Sequence, residues 1–584
     1  MWEIDPVGPG GLATHWSSYQ SAVELPLRLA GGRARLSYRF SRVYGQTAVV
    51  ELKVQGSPVD RFEARGGAYV ERSVELPQSV LASAPLRIEI AADSHEGKNR
   101  GLRMDWLRVE ALSSGRVAPV SATVWWCAAI SLSFCWIWLF TTRSILLAGA
   151  LGFSLALALF LYGGLAGPFP LAHMIRFVGP AALLLMLAAS AFLAKLPAGA
   201  RARYLPGLTV LAFLLRAGGM FHPLFYYPDL RAHADLARIV SEVGLDFWAR
   251  PSYYISEQGV WAEQALGRTY AFPFSPVFHT LFLPLAHDLL STMEAMKLAA
   301  CLFSALEVPV VFYLGHRLAG EEMGLWAAAL SVVSPPAFFR LSYAFLAAIF
   351  AHLLDALALL FLARGAKAGS AVFLGLALAS YPGSLINFGL FMPLFALTLL
   401  VDRRTRGEGL AVLTGSLLVA LLVLGLIYRE FLGVFLTDMF PRFLSGEARA
   451  GSFSPVAAAK MLAQRLWIFY DGLYLPLLGG GAISWFARRG RARRFVLCWA
   501  AVFALLIFLR TAMPDLFSRA KDMLWVSPLI SLLSAEALAG LSRSPRLQGW
   551  RWGRFLVPAY LSLLAAYGIG YYATLIAERF ALAR

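Results

Sequence analysis

The stretch FHPLFYYPDLRAHADLARIV, residues 221–240, carries Asp229, His233 and Asp235 within seven positions, directly after a long apolar run. Two carboxylates and an imidazole so close together are groups that take up protons or hold cations. Pro228 suits the first position of a helix. On that helix Asp229 and His233, four apart, share a face, and Asp235 is turned away. Capping and the helix dipole alone would favour an Asp at a helix start. Position adds a second reason: a carboxylate just past a membrane span sits where a lipid-borne phosphate headgroup arrives. Cations suited to such a phosphate stand at Arg340 in PPAFFRLSY, at Arg429 and Arg442 in 429–462, and at Arg510, Arg519 and Lys521 in LRTAMPDLFSRAKDM. Headgroup anchoring explains any one of them; three within twelve residues, around Pro514 and Asp515, ask for more. His352 and Asp355 fall within a span, where an ionisable pair is either functional or a satisfied interhelical contact.

The elements that must hold these groups are membrane helices. Of the 584 residues, 58% are hydrophobic and 15% charged, against roughly 45–50% apolar in soluble domains. The excess lies after Pro119, in recurring apolar runs long enough to cross a bilayer. The expected fold is a polytopic α-helical membrane protein with about 14 spans. The net charge of +17 then reads as topology. No basic patch interleaved with stacking aromatics lies outside the spans, which argues against nucleic acid as a partner. The charged links KLPAGARAR, GHRLAGEE, RGAKAG, DRRTRGEG, ARRGRARR and SRSPRLQGWRWGR go to the cytoplasmic side. The alternate links, 221–293 foremost, then face outward, as do the N-terminal head and the C-terminus. FPFSPVFHTLFLPLAHDLL, 272–290, is apolar enough to span, but spanning would invert every later loop. It is expected to be an interfacial helix with His279, His287 and Asp288 toward water. GGGAISW, 479–485, reads as close helix packing, and the four cysteines, all within spans, as small packing residues.

Residues 1–115 follow a different rule. ARLSYRF, AVVELKV, YVERSVEL, LRIEIAA and MDWLRVEAL alternate apolar and polar residues between glycine-rich turns, the pattern of an antiparallel β-sandwich. Trp16, Tyr19, Tyr38 and Tyr69 are either core residues or a platform for sugar rings. MWEIDPVGPGG has neither the basic nor the apolar part of a signal peptide, so an outward head calls either for a signal or anchor helix upstream of this start, the favoured reading, or for translocation by the first span itself. The expected organisation is a β-sandwich over 1–115, additional spans over 116–200, a core over 201–545 with the outer loop 221–293, and a last span within 546–584.

Two resemblances follow. The head, with DWLRVE as its closing strand, resembles jelly-roll modules that bind carbohydrate. The outer first loop is more informative. It opens with an acid, continues into amphipathic helices and an aromatic segment flanked by prolines, and precedes alternating spans. In this it resembles the GT-C superfamily of integral-membrane glycosyltransferases, such as the protein mannosyltransferases and aminoarabinose transferases. The resemblance implies a polyprenyl-phosphate-sugar donor, a glycan, lipid or protein acceptor, inversion at the sugar carbon, and reaction on the outer face of a bacterial inner membrane. It implies Asp229 as the base, or Asp229 with Asp235 and His233 as ligands of a divalent metal, Mg or Mn. The second outer loop, FRLSYAF, has Arg340 and no acid where many members carry one. A transporter or flippase of a lipid-linked saccharide, and a non-catalytic polysaccharide-binding protein, are the alternatives. The chain has no G-x-x-x-x-G-K-[ST], H-E-x-x-H or G-x-S-x-G motif.

Overall fold

A computed structural model describes the chain apart from residues 1–2, 6–13, 17–19, 26, 31–32, 42–46, 65–68, 77–84, 93–101, 113–115, 166, 198–199, 223–224, 226, 245, 248–261, 266–267, 272–276, 446–454, 513–521, 551–552 and 584. It divides into two compact units. One comprises Met1–Ala188, Phe221–Pro228 and Ala577–Arg584; the other comprises Ala189–Met220 and Asp229–Ile576.

The first unit begins with the β head. Arg103–Leu112 is sandwiched between Arg33–Ser41 and the Thr14–Trp16 strand, and Val70–Leu76 forms the far edge of that five-stranded sheet. Gln20–Leu25, Leu86–Ala92, Ala48–Val54 and Ser57–Ala64 form a four-stranded sheet, also antiparallel. The alternation in ARLSYRF and AVVELKV sends Leu36, Tyr38 and Phe40 from one sheet, and Val50, Leu52 and Val54 from the other, into one shared core. The head is therefore a β-sandwich. Tyr38 is fully buried against Phe40 and Phe62, so of the aromatic candidates it is a core residue. Tyr69 is half-buried under the Arg39 guanidinium; Tyr19 lies outside the described residues. Three helices follow: α1 (Ser121–Thr142), α2 (Ile145–Leu165) and α3 (Pro168–Ala194). Many of their large apolar side chains are exposed, as lipid-facing helices require.

The second unit is helical. Its main elements are α4 (Tyr204–Met220), α5 (Pro228–Val243, of which Pro228 belongs to the first unit), α6 (Leu289–Ala319), α7 (Glu321–Val332), α8 (Pro335–Ser342), α9 (Leu346–Arg364), α10 (Lys367–Ser380), α11 (Pro382–Leu400), α12 (Arg406–Leu426), α13 (Pro455–Ala487), α14 (Arg491–Ala512), α15 (Asp522–Arg543) and α16 (Gly553–Ala583, whose end from Ala577 belongs to the first unit). Among the described residues 11 helices are long and apolar enough to cross a membrane, or 12 when the bent pair within Pro455–Ala487 counts as one. By length and composition this is a multi-pass membrane protein. The expected fourteen spans included α4 and α10, whose 17 and 14 residues fall short of that length. At 1.5 Å per residue they rise only about 25 and 21 Å.

The basic links gather at one end of this bundle. Arg201 and Arg543 reach Glu322, Arg494 bonds Asp402 at 2.9 Å, and Arg491 bonds Glu408 at 2.6 Å. Arg491 and Arg317 also donate to the carbonyl of Ala363. KLPAGARAR, GHRLAGEE, RGAKAG, DRRTRGEG, ARRGRARR and the start of SRSPRLQGWRWGR thus share a side, as the charge alternation requires. The GGG run packs as expected: a Cβ on Gly481 of α13 would stand 2.0 Å from the carbonyl oxygen of Leu533 on α15.

The segment 277–290 corrects one expectation. It is not a single interfacial helix but a turn of helix at Val277–Thr280, a 3-10 turn at Leu283–Leu285, and the start of α6. His279 does not face water; it is fully buried, whereas His287 is exposed.

Candidate functional site

The polar core of the second unit is built around a break between α7 and α8. Pro335 and Pro336 cannot donate hydrogen bonds, so the carbonyls one turn earlier lose their helical partners. Arg216 of α4 fills one vacancy. Its Nη2 donates to Ser331 O at 2.8 Å and its Nη1 to Ser304 O at 2.7 Å, tying α4, α6 and α7 together. Beyond the break, α8 carries Arg340 inward. This guanidinium is 1% exposed, and its Nη2 donates to Oε2 of Glu307 on α6 at 2.6 Å. Nε and Nη1 of Arg340, and Oε1 of Glu307, have no hydrogen-bond partner among the described residues.

A second group joins the first. Asp355 stands nine residues from either end of α9, at mid-span. Its carboxylate meets His352 Nδ1 at 3.0 Å and accepts from the Ser384 hydroxyl at 2.9 Å. Nε2 of His352 has no partner among the described residues, and the ring lies 6.1 Å from that of Tyr381. Tyr381 caps the turn between α10 and α11 and Ser384 is in the first turn of α11; the turn exists at this depth because α10 is short and Pro382 restarts the chain. Glu307 is the electrostatic neighbour of Asp355, Arg216 and Arg340, and Tyr470 of α13 faces Arg340, Ser334 and Ser527. Two guanidinium groups thus balance two carboxylates inside an apolar bundle, where a lone charge would cost several kcal/mol.

The residues singled out in the loop are placed as follows. Asp229 is in the first turn of α5 and half-buried. His233 is 2% exposed, and its Nδ1 lies 2.9 Å from Nε2 of His279, the two rings stacked at 5.2 Å. Asp235 is on another face, 3.6 Å from Arg231 and 3.7 Å from Arg238. The structure therefore does not gather Asp229, His233 and Asp235 as ligands. Among the described residues no group of three or more His, Cys, Asp or Glu side chains is placed to hold a metal ion.

Of the cations assigned to phosphate, Arg340 is corrected from a loop cation to a buried, paired one. Arg442 is half-buried in the short helix Phe440–Leu444, Arg429 is exposed, and Arg510 falls in the last turn of α14. Arg519 and Lys521 lie outside the described residues. Glu307 and Arg216 were missed from the sequence. Each is an ionisable residue inside an apolar helix, in SALEVPVVF and LLRAGGM, and that alone marks a suspect.

No family model matches the chain, and no curated protein matches it. Among solved structures it is similar to the archaeal oligosaccharyltransferase AglB from Archaeoglobus fulgidus, in complex with an inhibitory peptide and a dolichol-phosphate. That match has 12% identity and a TM-score of 0.43, covering 64% of this chain and 56% of that one. It is also similar to ArnT from Cupriavidus metallidurans bound to undecaprenyl phosphate, with 16% identity, a TM-score of 0.38, and coverage of 66% and 77%. The chain thus spans little more than half the length of the oligosaccharyltransferase. At these identities and TM-scores the likeness assigns no residue and no reaction to this chain.

Proposed function

We propose that the chain is an integral-membrane glycosyltransferase. It moves a sugar, with inversion, from a polyprenyl-phosphate donor to a glycan, lipid or protein acceptor on the outer face of a bacterial cytoplasmic membrane. The observation that carries this reading is the buried Glu307–Arg340 pair with hydrogen-bonding atoms left unspent in an apolar bundle. Unsatisfied buried polar groups are costly, and hydroxyls or other polar atoms of a bound ligand would satisfy them. In this reading Asp229 takes the proton of the acceptor hydroxyl as its oxygen bonds to the sugar carbon. The bond from that carbon to the phosphate oxygen breaks, and its electron pair leaves with the prenyl phosphate. Arg442, Arg510, Arg519 and Lys521 are the cations proposed to meet that phosphate, alone or with a divalent Mg or Mn ion held at Asp229. The test is release of prenyl phosphate from a labelled prenyl-phosphate hexose in membranes containing the protein. Asp229→Asn should cut release by about 100-fold or more while the protein remains folded. Full activity in that variant would remove Asp229 from the role of base.

A second reading, a transporter of a lipid-linked saccharide, is favoured by the mid-span position of Asp355 and His352. It predicts movement of the intact labelled lipid across vesicles with no cleavage.

A further inference from the structure

The Glu307–Arg340 pair is ill-suited to the phosphate and well-suited to another part of the same donor. The geometry points to this pair as the reader of a neutral sugar: Arg340 Nε and Nη1 donate to, and Glu307 Oε1 accepts from, hydroxyls on adjacent sugar carbons. The inference rests on the glycosyltransferase reading and deepens it by assigning the chemical class of the donor sugar.

Charge gives the first argument. Arg340 is already neutralised by a carboxylate 2.6 Å away, and Asp355 places a second carboxylate in the same field. An incoming phosphate would meet Glu307 as closely as it meets the guanidinium, and low surrounding polarity strengthens that repulsion. The spare atoms give the second argument. One side of the pair offers unpartnered N–H donors and the other an unpartnered acceptor. A hydroxyl donates one hydrogen bond and accepts others, so two neighbouring hydroxyls satisfy both sides at once. A uronate would bring a third carboxylate, and an ammonium group could donate to Glu307 but could not itself accept from the Arg340 donors. His352 Nε2, also unpartnered, donates or accepts according to tautomer and tolerates either end of a further hydroxyl.

The test uses the full chain in lipid nanodiscs, titrated with three probes: a short-chain prenyl phosphate, the same lipid carrying a neutral hexose, and its uronate counterpart. The wild-type protein should bind the hexosyl lipid at least about tenfold more tightly than the uronosyl lipid. Glu307→Gln combined with Arg340→Gln removes both charges together. It should weaken the hexosyl lipid by about tenfold or more and the bare prenyl phosphate by less than about threefold. Arg340→Lys keeps the charge but loses the planar fork. It should show the same selective loss and decides the matter if the double variant does not fold. Equal weakening of bare prenyl phosphate, or equal wild-type affinity for hexosyl and uronosyl lipids, overturns the inference while leaving the glycosyltransferase reading standing. A wild-type protein that binds none of the three lipids overturns both.

Discussion

Arg216 Nη2 donates to the carbonyl of Ser331, the group that the missing N–H of Pro335 leaves open. A cation at this depth is therefore part of the frame: it allows the chain to break between α7 and α8 so that Arg340 turns inward. Arg216→Leu removes both carbonyl contacts and leaves Glu307 with one fewer counter-charge. Thermal unfolding in detergent should show a loss on the order of 3 kcal/mol, with Arg216→Lys falling between. An unchanged melting temperature would mean that the break supports itself.

The α13–α15 contact contains its own control. Gly481→Ala would drive a methyl group against the backbone of Leu533, where no side chain can yield, and should cost about 1–3 kcal/mol. Gly480→Ala meets only the Ala537 methyl at 3.6 Å, an ordinary contact, and should be close to neutral. Yields of monodisperse protein for the two variants distinguish them directly.

In the head, Asp60 accepts from Arg72 Nε at 2.7 Å and also from the Tyr38 hydroxyl. Burial works against the charged carboxylate, but these hydrogen bonds outweigh it and hold Asp60 below its usual range. A group whose folded value is depressed contributes stability above its unfolded value, near 3.9, and that contribution is lost as pH falls through the folded value. Relative to the intrinsic amide rate at each pH, hydrogen exchange of peptides covering 33–76 in the full chain should therefore quicken as pH falls below about 4. Asp60→Asn should quicken it already at neutral pH and flatten the acid dependence.

Asp235 serves as the negative control for Asp229. It is held by Arg231 and Arg238 on another face of α5, in a half-exposed setting where such pairs contribute about 0.2–1 kcal/mol. Asp235→Asn should leave prenyl-phosphate release within about threefold of wild type. A loss equal to that of Asp229→Asn would return Asp235 to the reacting centre.

Legibility differed by the range of the interaction involved. AVVELKV and LRIEIAA could be read as strands because alternation is local and each strand shows its buried face in its own residues. The six basic links could be placed on one side because charge bias acts through the whole bundle. The helix starting at Pro228 was legible from Pro228 and Asp229 alone. The partnership of His233 with His279 was not, since the two are 46 positions apart and nothing in either neighbourhood specifies the other. Arg340 was noticed as a loop cation because hydropathy sees the break at PP but not that the chain re-enters the core beyond it. Glu307 was overlooked for the converse reason: fourteen of its eighteen neighbours in 298–316 are apolar and mask one acid in a window average.

The fourteen residues of α10 leave a vertical gap. Their rise falls about 9 Å short of a typical hydrocarbon core. Val372 and Leu376 of α10 are exposed, so along this helix the bilayer must thin to meet so short a rise. Turnover should then track membrane thickness: reconstitution in short-chain phosphatidylcholine relieves the mismatch and long-chain lipid aggravates it, an effect no side-chain substitution reproduces.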